Sequence, residues 1–129
     1  MISLFIKRYY RSMLIGALIL WLSLSSGSSL MPGGFLNVPY VDKIGHFIMY
    51  MFFAAVLLLD SCLWKSDRSV RYIILIIPLA FGALMEVLQL LLTKARKAEA
   101  LDLAADILGI GAGIIFALTV RRLLKKIRI

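Results

Sequence analysis

The sequence predicts an all-α fold: a single domain over residues 1–129, built as a bundle of four transmembrane helices with short loops. Hydrophobic residues make up 62% of the chain, whereas a soluble domain contains about 45–50%. They are grouped in long runs without the alternation of a membrane β-strand. Because lipid offers no partner to an unpaired backbone group, these runs are expected to be helical. The composition also excludes a disordered chain, which would be poor in apolar residues.

Four apolar runs are long enough to cross a bilayer, which takes about 20 helical residues. They cover residues 12–30, 44–64, 72–92 and 103–120. The first contains no charged residue and is longer than the core of a usual signal peptide, which favours its retention as a span. The third contains Pro78, which removes one backbone donor and is tolerated in membrane helices.

The net charge of +8 is concentrated at the ends of these runs. Three basic segments hold Lys7, Arg8 and Arg11, then Lys65, Arg68 and Arg71, then Arg121, Arg122, Lys125, Lys126 and Arg128. With four spans, all three segments face one side of the membrane, which the positive-inside rule assigns to the cytoplasm. Both termini are therefore predicted to be cytoplasmic. The cations also attract anionic lipid headgroups, and nucleic acid is not expected as a partner.

Polar residues interrupt three of the runs in a regular pattern, although a charge inside a membrane helix costs about 2.5–3.5 kcal/mol. Helical spacing collects them into three stripes: Asp42, His46 and Tyr50; Gly82, Glu86 and Gln89; and Arg96, Glu99, Asp102, Asp106, Gly109 and Gly113. At 1.5 Å per residue, His46, Glu86 and Asp106 lie roughly 5–9 Å inside the same end of their spans. The sequence therefore predicts one polar layer near the extracytoplasmic surface. Gly109 and Gly113 predict close approach of a neighbouring helix.

This polar layer is predicted to bind a ligand. The candidate binding residues are Asp42, Lys43, His46, Glu86, Gln89, Arg96, Asp102 and Asp106. Glu86 is expected to pair with His46 and Arg96, and the guanidinium of Arg96 suits phosphate or carboxylate. His46 and Glu86 are also the candidates for acid–base catalysis, since imidazole exchanges protons near neutral pH.

Several of these groups also have a purely structural interpretation. His46 can be an interhelical hydrogen-bonding residue and nothing more. Asp42 can simply stabilise the start of a helix. Asp60 lies near the cytoplasmic end, where Lys65 or water is its expected partner, and Tyr50 is expected to serve packing and lipid contact.

Neither a metal site nor a cofactor is predicted. The chain contains a single histidine and a single cysteine, so the paired ligand spacing of zinc sites is absent. Oxygen ligation by Glu86, Asp102 and Asp106 is conceivable, but no loop signature of a hard-cation site supports it.

Three motifs follow one another along the chain: Asp42-Lys43-x2-His46-x3-Tyr50, then Glu86-x2-Gln89, then Arg96-x5-Asp102-x3-Asp106-x2-Gly109-x3-Gly113. In order and spacing, this series over residues 42–113 resembles the VanZ-like family of small bacterial membrane proteins. The family usually has Asn where this chain has Asp106. The resemblance implies a multi-pass protein of the bacterial cytoplasmic (inner) membrane and a cell-envelope setting. The member that gives the family its name is associated with resistance to the lipoglycopeptide teicoplanin.

Three functions are consistent with these observations. The preferred one is a binding or protective membrane protein whose polar layer holds the headgroup of an envelope lipid or an amphiphilic glycopeptide. The second is a membrane-embedded enzyme in which Glu86 or His46 acts as general base on a lipid-linked phosphate or ester, while Arg96 stabilises developing negative charge. The third is a structural or assembly subunit whose polar layer fixes helix register. Membrane lipids are expected partners in each case.

Overall fold

A computed structural model describes residues 1–25, 40–61, 68–92 and 100–127 of the chain. Within these ranges the chain forms four α-helices and no β-strand. The helices are α1 (Ile2–Leu24), α2 (Val41–Asp60), α3 (Arg68–Leu92) and α4 (Ala100–Ile127). The predicted all-α fold of four helices is confirmed.

Three of the helices are long and apolar enough to cross a membrane. They are α2, the part of α3 from Leu75 to Leu92, and α4. Many of their large apolar side chains face outward, among them Leu108, Ile115 and Phe116 of α4. A continuous apolar exterior of this kind is typical of contact with lipid. These features agree with the predicted integral membrane protein.

The first helix differs from its predicted span at residues 12–30. It begins at Ile2, includes the basic residues before the apolar run, and ends at Leu24. Lys and Arg are good helix formers, so the helix continues through them although hydropathy does not mark them. The apolar stretch from Ser12 to Leu24 measures about 20 Å at 1.5 Å per residue, which is short of the ~30 Å hydrocarbon core. Residues 26–30 of the predicted span lie outside the described residues.

The last helix also extends beyond its apolar run. It covers Ala100–Ile127 instead of residues 103–120, and it carries Lys125 and Lys126 in its last turn. The helix dipole favours positive charge at that position. In α3, Pro78 lies inside a helix that continues on both sides of it. Hydropathy therefore locates the apolar centre of each helix better than its ends.

Helices α2 and α4 run parallel and approach most closely at two glycines of α4. A Cβ atom at Gly109 would collide with the carbonyl oxygen of Phe47, and one at Gly113 with the carbonyl oxygen of Met51. Because the obstacle is backbone and not a movable side chain, only glycine fits there. The close approach that these glycines predict is therefore observed. It fixes the register of α4 against α2.

The central apolar core lies where all four helices meet. Its fully buried members are Ile19, Tyr50, Phe53, Ala54, Met85 and Ile110. Within it, the rings of Phe53 and Phe81 pack edge to face with centroids 5.4 Å apart, an arrangement that aromatic pairs favour. A smaller cluster of Ala55, Leu58 and Ala117 continues the contact between α2 and α4.

The C-terminal end of α2 is attached to α1 by a buried carboxylate. Asp60 Oδ2 accepts hydrogen bonds from the backbone N–H of Ser12 at 3.2 Å and from its hydroxyl at 2.7 Å. Asp60 Oδ1 lies 2.5 Å from the Arg11 guanidinium, as an ion pair without the alignment of a hydrogen bond. Lys65, the partner expected from the sequence, lies outside the described residues, and α1 supplies the described partners. We call this the Asp60 end of the bundle, and the opposite end, where α2 and α4 begin, the His46 end.

Candidate functional site

The His46 end contains a buried polar pair between α2 and α4. Because Gly109 lies against Phe47, Asp106 one turn earlier comes level with His46. The distance from His46 Nδ1 to Asp106 Oδ1 is 2.9 Å, and the two side chains are only 4% and 1% exposed. An ionised carboxylate can only accept a hydrogen bond, so the imidazole N–H is the donor when Asp106 is ionised. The two residues thus join the closest pair of helices in the bundle.

The second oxygen of Asp106 and the phenol of Tyr50 face the same point on α3. A Cβ atom placed on Gly82 would lie 2.9 Å from Asp106 Oδ2 and 3.5 Å from Tyr50 Cζ, the carbon that carries the hydroxyl. Both polar atoms are shielded from solvent, and neither has a hydrogen-bond partner among the described residues. Buried polar atoms in proteins are almost always paired. Two unpaired atoms at one place therefore mark a position where a bound group would be stabilised.

Glu86 contributes a third polar side chain, from α3. It lies one turn beyond Gly82 on the same stripe of the helix, and both of its carboxylate oxygens are shielded from solvent. One nitrogen or oxygen atom from each of His46, Glu86 and Asp106 lies within 4.8 Å of the others. The structure therefore brings together, from three helices, the residues on which the predicted polar layer is centred.

Lys43 lies at the outer edge of this layer, one turn before the buried pair. Its Nζ atom is 3.4 Å from Asp42 Oδ2 and 3.4 Å from Asp102 Oδ1. The three side chains differ in exposure, since Asp42 is 51% exposed, Lys43 17% and Asp102 8%. Lys43 thus connects an exposed carboxylate to a buried one across the α2–α4 contact. Asp42 is therefore at the exposed edge of the layer, outside its buried part.

Two other predicted site residues are not seen in the polar layer: Gln89 bonds to α1, and Arg96 lies outside the described residues. Gln89 is buried, and its side-chain amide donates a hydrogen bond of 3.0 Å to the backbone carbonyl of Ser23. This bond attaches α3 to α1, which gives Gln89 a structural task in addition to its predicted one. Arg96 lies outside the described residues, as does Glu99 of the same predicted stripe.

Tyr50 packs in the core, as the sequence predicts, but the predicted lipid contact is wrong, and its hydroxyl borders the candidate site. It is completely buried, and its ring stacks on that of His46, with centroids 6.4 Å apart and an interplanar angle of 9°. The signal was present in the sequence, because Tyr50 follows His46 at the i+4 position that places both on one helical face. The sequence placed Gly82 on the polar stripe of α3, but only the structure shows that Gly82 faces Tyr50 and leaves room for its ring.

An apolar groove begins beside the polar layer and extends toward the Asp60 end. It has a volume of about 440 Å³ and is lined by side chains of α1, α2 and α3. Phe53 and Phe81 contribute to its lining, and they neighbour the polar layer because Phe53 packs on Tyr50 and Phe81 precedes Gly82. The polar layer and the apolar groove are therefore next to each other in the bundle.

Comparison with known proteins adds no relative: no family model matches the chain, and no curated protein or solved structure matches it. The resemblance to the VanZ-like family therefore rests on the motifs alone and stays a hypothesis. The fold and the site define the class directly: an all-α membrane protein with a buried histidine–carboxylate layer at one end of its helices.

Proposed function

We propose that this chain is a VanZ-like protein of the bacterial cytoplasmic membrane that binds the headgroup of an envelope amphiphile in its polar layer. The observation that carries the proposal is the meeting of His46, Glu86 and Asp106 within 4.8 Å, each from a different helix. Polar groups inside a membrane are costly, and they usually face a partner or a ligand. Here the costly groups converge at one depth.

The chemistry of the layer favours a headgroup rich in hydrogen-bond donors. Asp106 Oδ2 is an acceptor without a described partner, and the Tyr50 hydroxyl both donates and accepts. Hydroxyl or amino groups, as in sugars and aminated headgroups, would satisfy both atoms. At the outer edge, Lys43 supplies a positive charge for a phosphate or carboxylate on the same headgroup.

The neighbouring groove favours an amphiphile over a free polar solute. Its wall is almost wholly apolar and about 440 Å³ in volume, which suits an acyl chain that descends from a headgroup in the layer. A lipoglycopeptide combines sugar and amino groups with such a chain. The resemblance to the VanZ-like family accordingly extends the proposal to glycopeptide, teicoplanin-type resistance.

The direction of the helices supports an extracytoplasmic position for the polar layer. Because α1 is antiparallel to α2 and α4 is parallel to it, the basic start of α1 and the basic last turns of α4 share the Asp60 end. By the positive-inside rule that end faces the cytoplasm. A reporter enzyme fused after Ile129 is therefore expected to be active in the cytoplasm. An external location would contradict the topology.

Native mass spectrometry of the full chain, extracted from a bacterial membrane into nanodiscs, tests headgroup binding. The wild type is expected to retain one amphiphile, and Asp106→Asn to lose it at least about tenfold, as the loss of a charge-assisted hydrogen bond implies. Thr119→Val is the matched control on α4, because among the described residues the Thr119 hydroxyl bonds to the carbonyl of Ile115 on its own helix and to no residue of the polar layer. Equal retention by all three proteins would contradict the proposal and favour a structural or assembly subunit.

A second candidate, an acid–base enzyme, is favoured by one specific observation. Asp106 bonds to one nitrogen of His46 at 2.9 Å, and a carboxylate in that position orients an imidazole for proton transfer at its other nitrogen. In the enzyme, His46→Gln would keep the bound amphiphile and lose its cleavage. In the binding protein, the wild type itself would leave the amphiphile intact over prolonged incubation.

A further inference from the structure

We infer that His46, Glu86 and Asp106 form a binding site for a divalent transition-metal ion. The inference does not require an amphiphile, but it uses the same Asp106 and Tyr50 atoms as the proposed headgroup, so the ion and the headgroup are alternative partners of these two atoms. No local sequence motif indicates it, because each ligand lies on a different helix.

The ligand atoms lie close enough together for a metal centre. A first-row metal lies about 2.0–2.2 Å from imidazole nitrogen and carboxylate oxygen, so two ligands of a tetrahedral zinc centre are separated by about 3.4 Å. His46 Nδ1 and Asp106 Oδ1 are 2.9 Å apart as a hydrogen-bonded pair, so an ion that replaces the shared proton would widen this pair by about half an ångström. Glu86 completes a group whose ligand atoms lie within 4.8 Å of one another, and its long side chain closes the remaining distance by a change of rotamer.

A second observation points to a bound group at this place. Asp106 Oδ2 and the Tyr50 hydroxyl are buried and without a partner among the described residues. Both residues are 0% exposed, and both face the space beside Gly82, where a Cβ would lie 2.9 Å from Asp106 Oδ2. A metal ion with a coordinated water would satisfy both atoms: the ion would take the carboxylate, and its water would bond to the phenol.

The donor set defines the class of ion. One imidazole nitrogen favours zinc and the neighbouring transition metals over Mg²⁺ and Ca²⁺, which prefer all-oxygen sites. The site contains no thiolate, the ligand that selects Cu(I). Two ionised carboxylates and a neutral imidazole supply two negative charges, which a divalent ion neutralises. Zn²⁺ is therefore the expected ion, and Co²⁺ is its spectroscopic substitute.

The test uses the full chain, purified with its affinity tag removed, stripped with a chelator and titrated with Co²⁺. One Co²⁺ per chain is expected, with visible absorption bands that Zn²⁺ abolishes. Asp106→Asn and Glu86→Gln are each expected to weaken binding at least about tenfold, the lower bound found for outer-shell partners. Asp60→Asn is the matched control. It changes a buried carboxylate at the opposite end of the bundle, which pairs with Arg11 and Ser12, and its Co²⁺ affinity is expected to stay within threefold of the wild type.

A second measurement uses only the wild type, so it tests the metal site even if a substituted chain does not fold. The chain has a single histidine, so imidazole coupling to Cu²⁺ in electron paramagnetic resonance of the wild type can come only from His46. Coupling to one imidazole is expected. Absence of this coupling, a wild type that binds no Co²⁺, or equal binding by wild type, Asp106→Asn and Glu86→Gln would each overturn the metal site. Retention of the amphiphile in the presence of the chelator reports separately on headgroup binding.

Discussion

Two buried aspartates near opposite ends of the bundle have different surroundings. Asp60 is 6% exposed, and both of its oxygens have partners: Ser12 donates twice to one, and Arg11 pairs with the other. Asp106 is 0% exposed, with one oxygen bonded to His46 and the other without a partner among the described residues. The two carboxylates are buried to a similar extent, but among the described residues only Asp60 has a partner for each of its oxygens.

The comparison separates helix attachment from ligand binding. A buried carboxylate with partners on both oxygens holds two helices together, whereas an unpaired oxygen costs free energy that a bound group or a water would offset. Burial of a polar residue in a membrane helix therefore does not identify a site by itself. The completeness of its pairing separates the two residues: it assigns Asp60 to the scaffold and Asp106 to the proposed binding site.

The largest loss of stability is expected from a substitution that prevents the close approach of α2 and α4, on which the His46 end depends. Gly109→Val would push β-branched atoms into the Phe47 carbonyl, which is expected to lower the free energy of unfolding by about 3 kcal/mol or more. Gly111→Ala is the control, because a Cβ there meets nothing within 4 Å. It is expected to be neutral or to stabilise by up to ~1 kcal/mol. Unfolding in mixed micelles measures both, and similar losses would contradict the close approach.

The next largest loss of stability is expected at Asp60, the carboxylate that attaches α2 to α1. Asp60→Asn removes the ion pair with Arg11 and weakens the bonds from Ser12, so the free energy of unfolding is expected to fall by about 2 kcal/mol. Co²⁺ affinity and amphiphile retention at the other end are expected to stay unchanged. An unaltered stability would show that the Asp60 contact does not hold α1 to α2.

A smaller change in stability is expected at the site carboxylate. Asp106→Asn keeps a hydrogen bond to His46 and removes a buried charge. The free energy of unfolding is therefore expected to change by less than ~1 kcal/mol in either direction. If Asp106→Asn destabilised the protein as strongly as Asp60→Asn, the polar layer would be structural.

The smallest effect on stability belongs to the hydroxyl of Tyr50. Because this hydroxyl has no partner among the described residues, Tyr50→Phe is expected to change the free energy of unfolding by less than ~0.5 kcal/mol. The same substitution is expected to lower Co²⁺ affinity severalfold. Tyr50→Ala, which removes the whole buried ring, is the destabilising reference for this position. A large loss of stability in Tyr50→Phe would indicate a structural hydrogen bond in place of a site for ligand.

Sequence reasoning succeeded where the signal is local. Hydrophobic runs located four helices, and helical spacing placed His46, Asp106 and Gly109 on facing stripes. The extension of α1 back to Ile2 was not predictable from hydropathy, because its basic flank is helical without being apolar.

Contacts between helices distant in the chain were the hardest to predict. The pairing of Asp60 with Arg11 and Ser12 depends on how α1 packs on α2, and no spacing within either helix records it. The meeting of His46, Glu86 and Asp106 was predictable as a polar layer, because helical face and depth agree on all three helices. The proposed metal binding was not predictable, because a zinc motif is recognised by ligands close together in sequence.

The most direct test compares the two aspartates in one experiment. Native mass spectrometry of wild type, Asp60→Asn and Asp106→Asn, each extracted from the same bacterial host, measures the amphiphile that every chain retains. Wild type and Asp60→Asn are expected to retain it equally, and Asp106→Asn at least about tenfold less, as the loss of a charge-assisted hydrogen bond implies. Equal retention by all three chains, or a loss confined to Asp60→Asn, would contradict the assignment of the site to the His46 end.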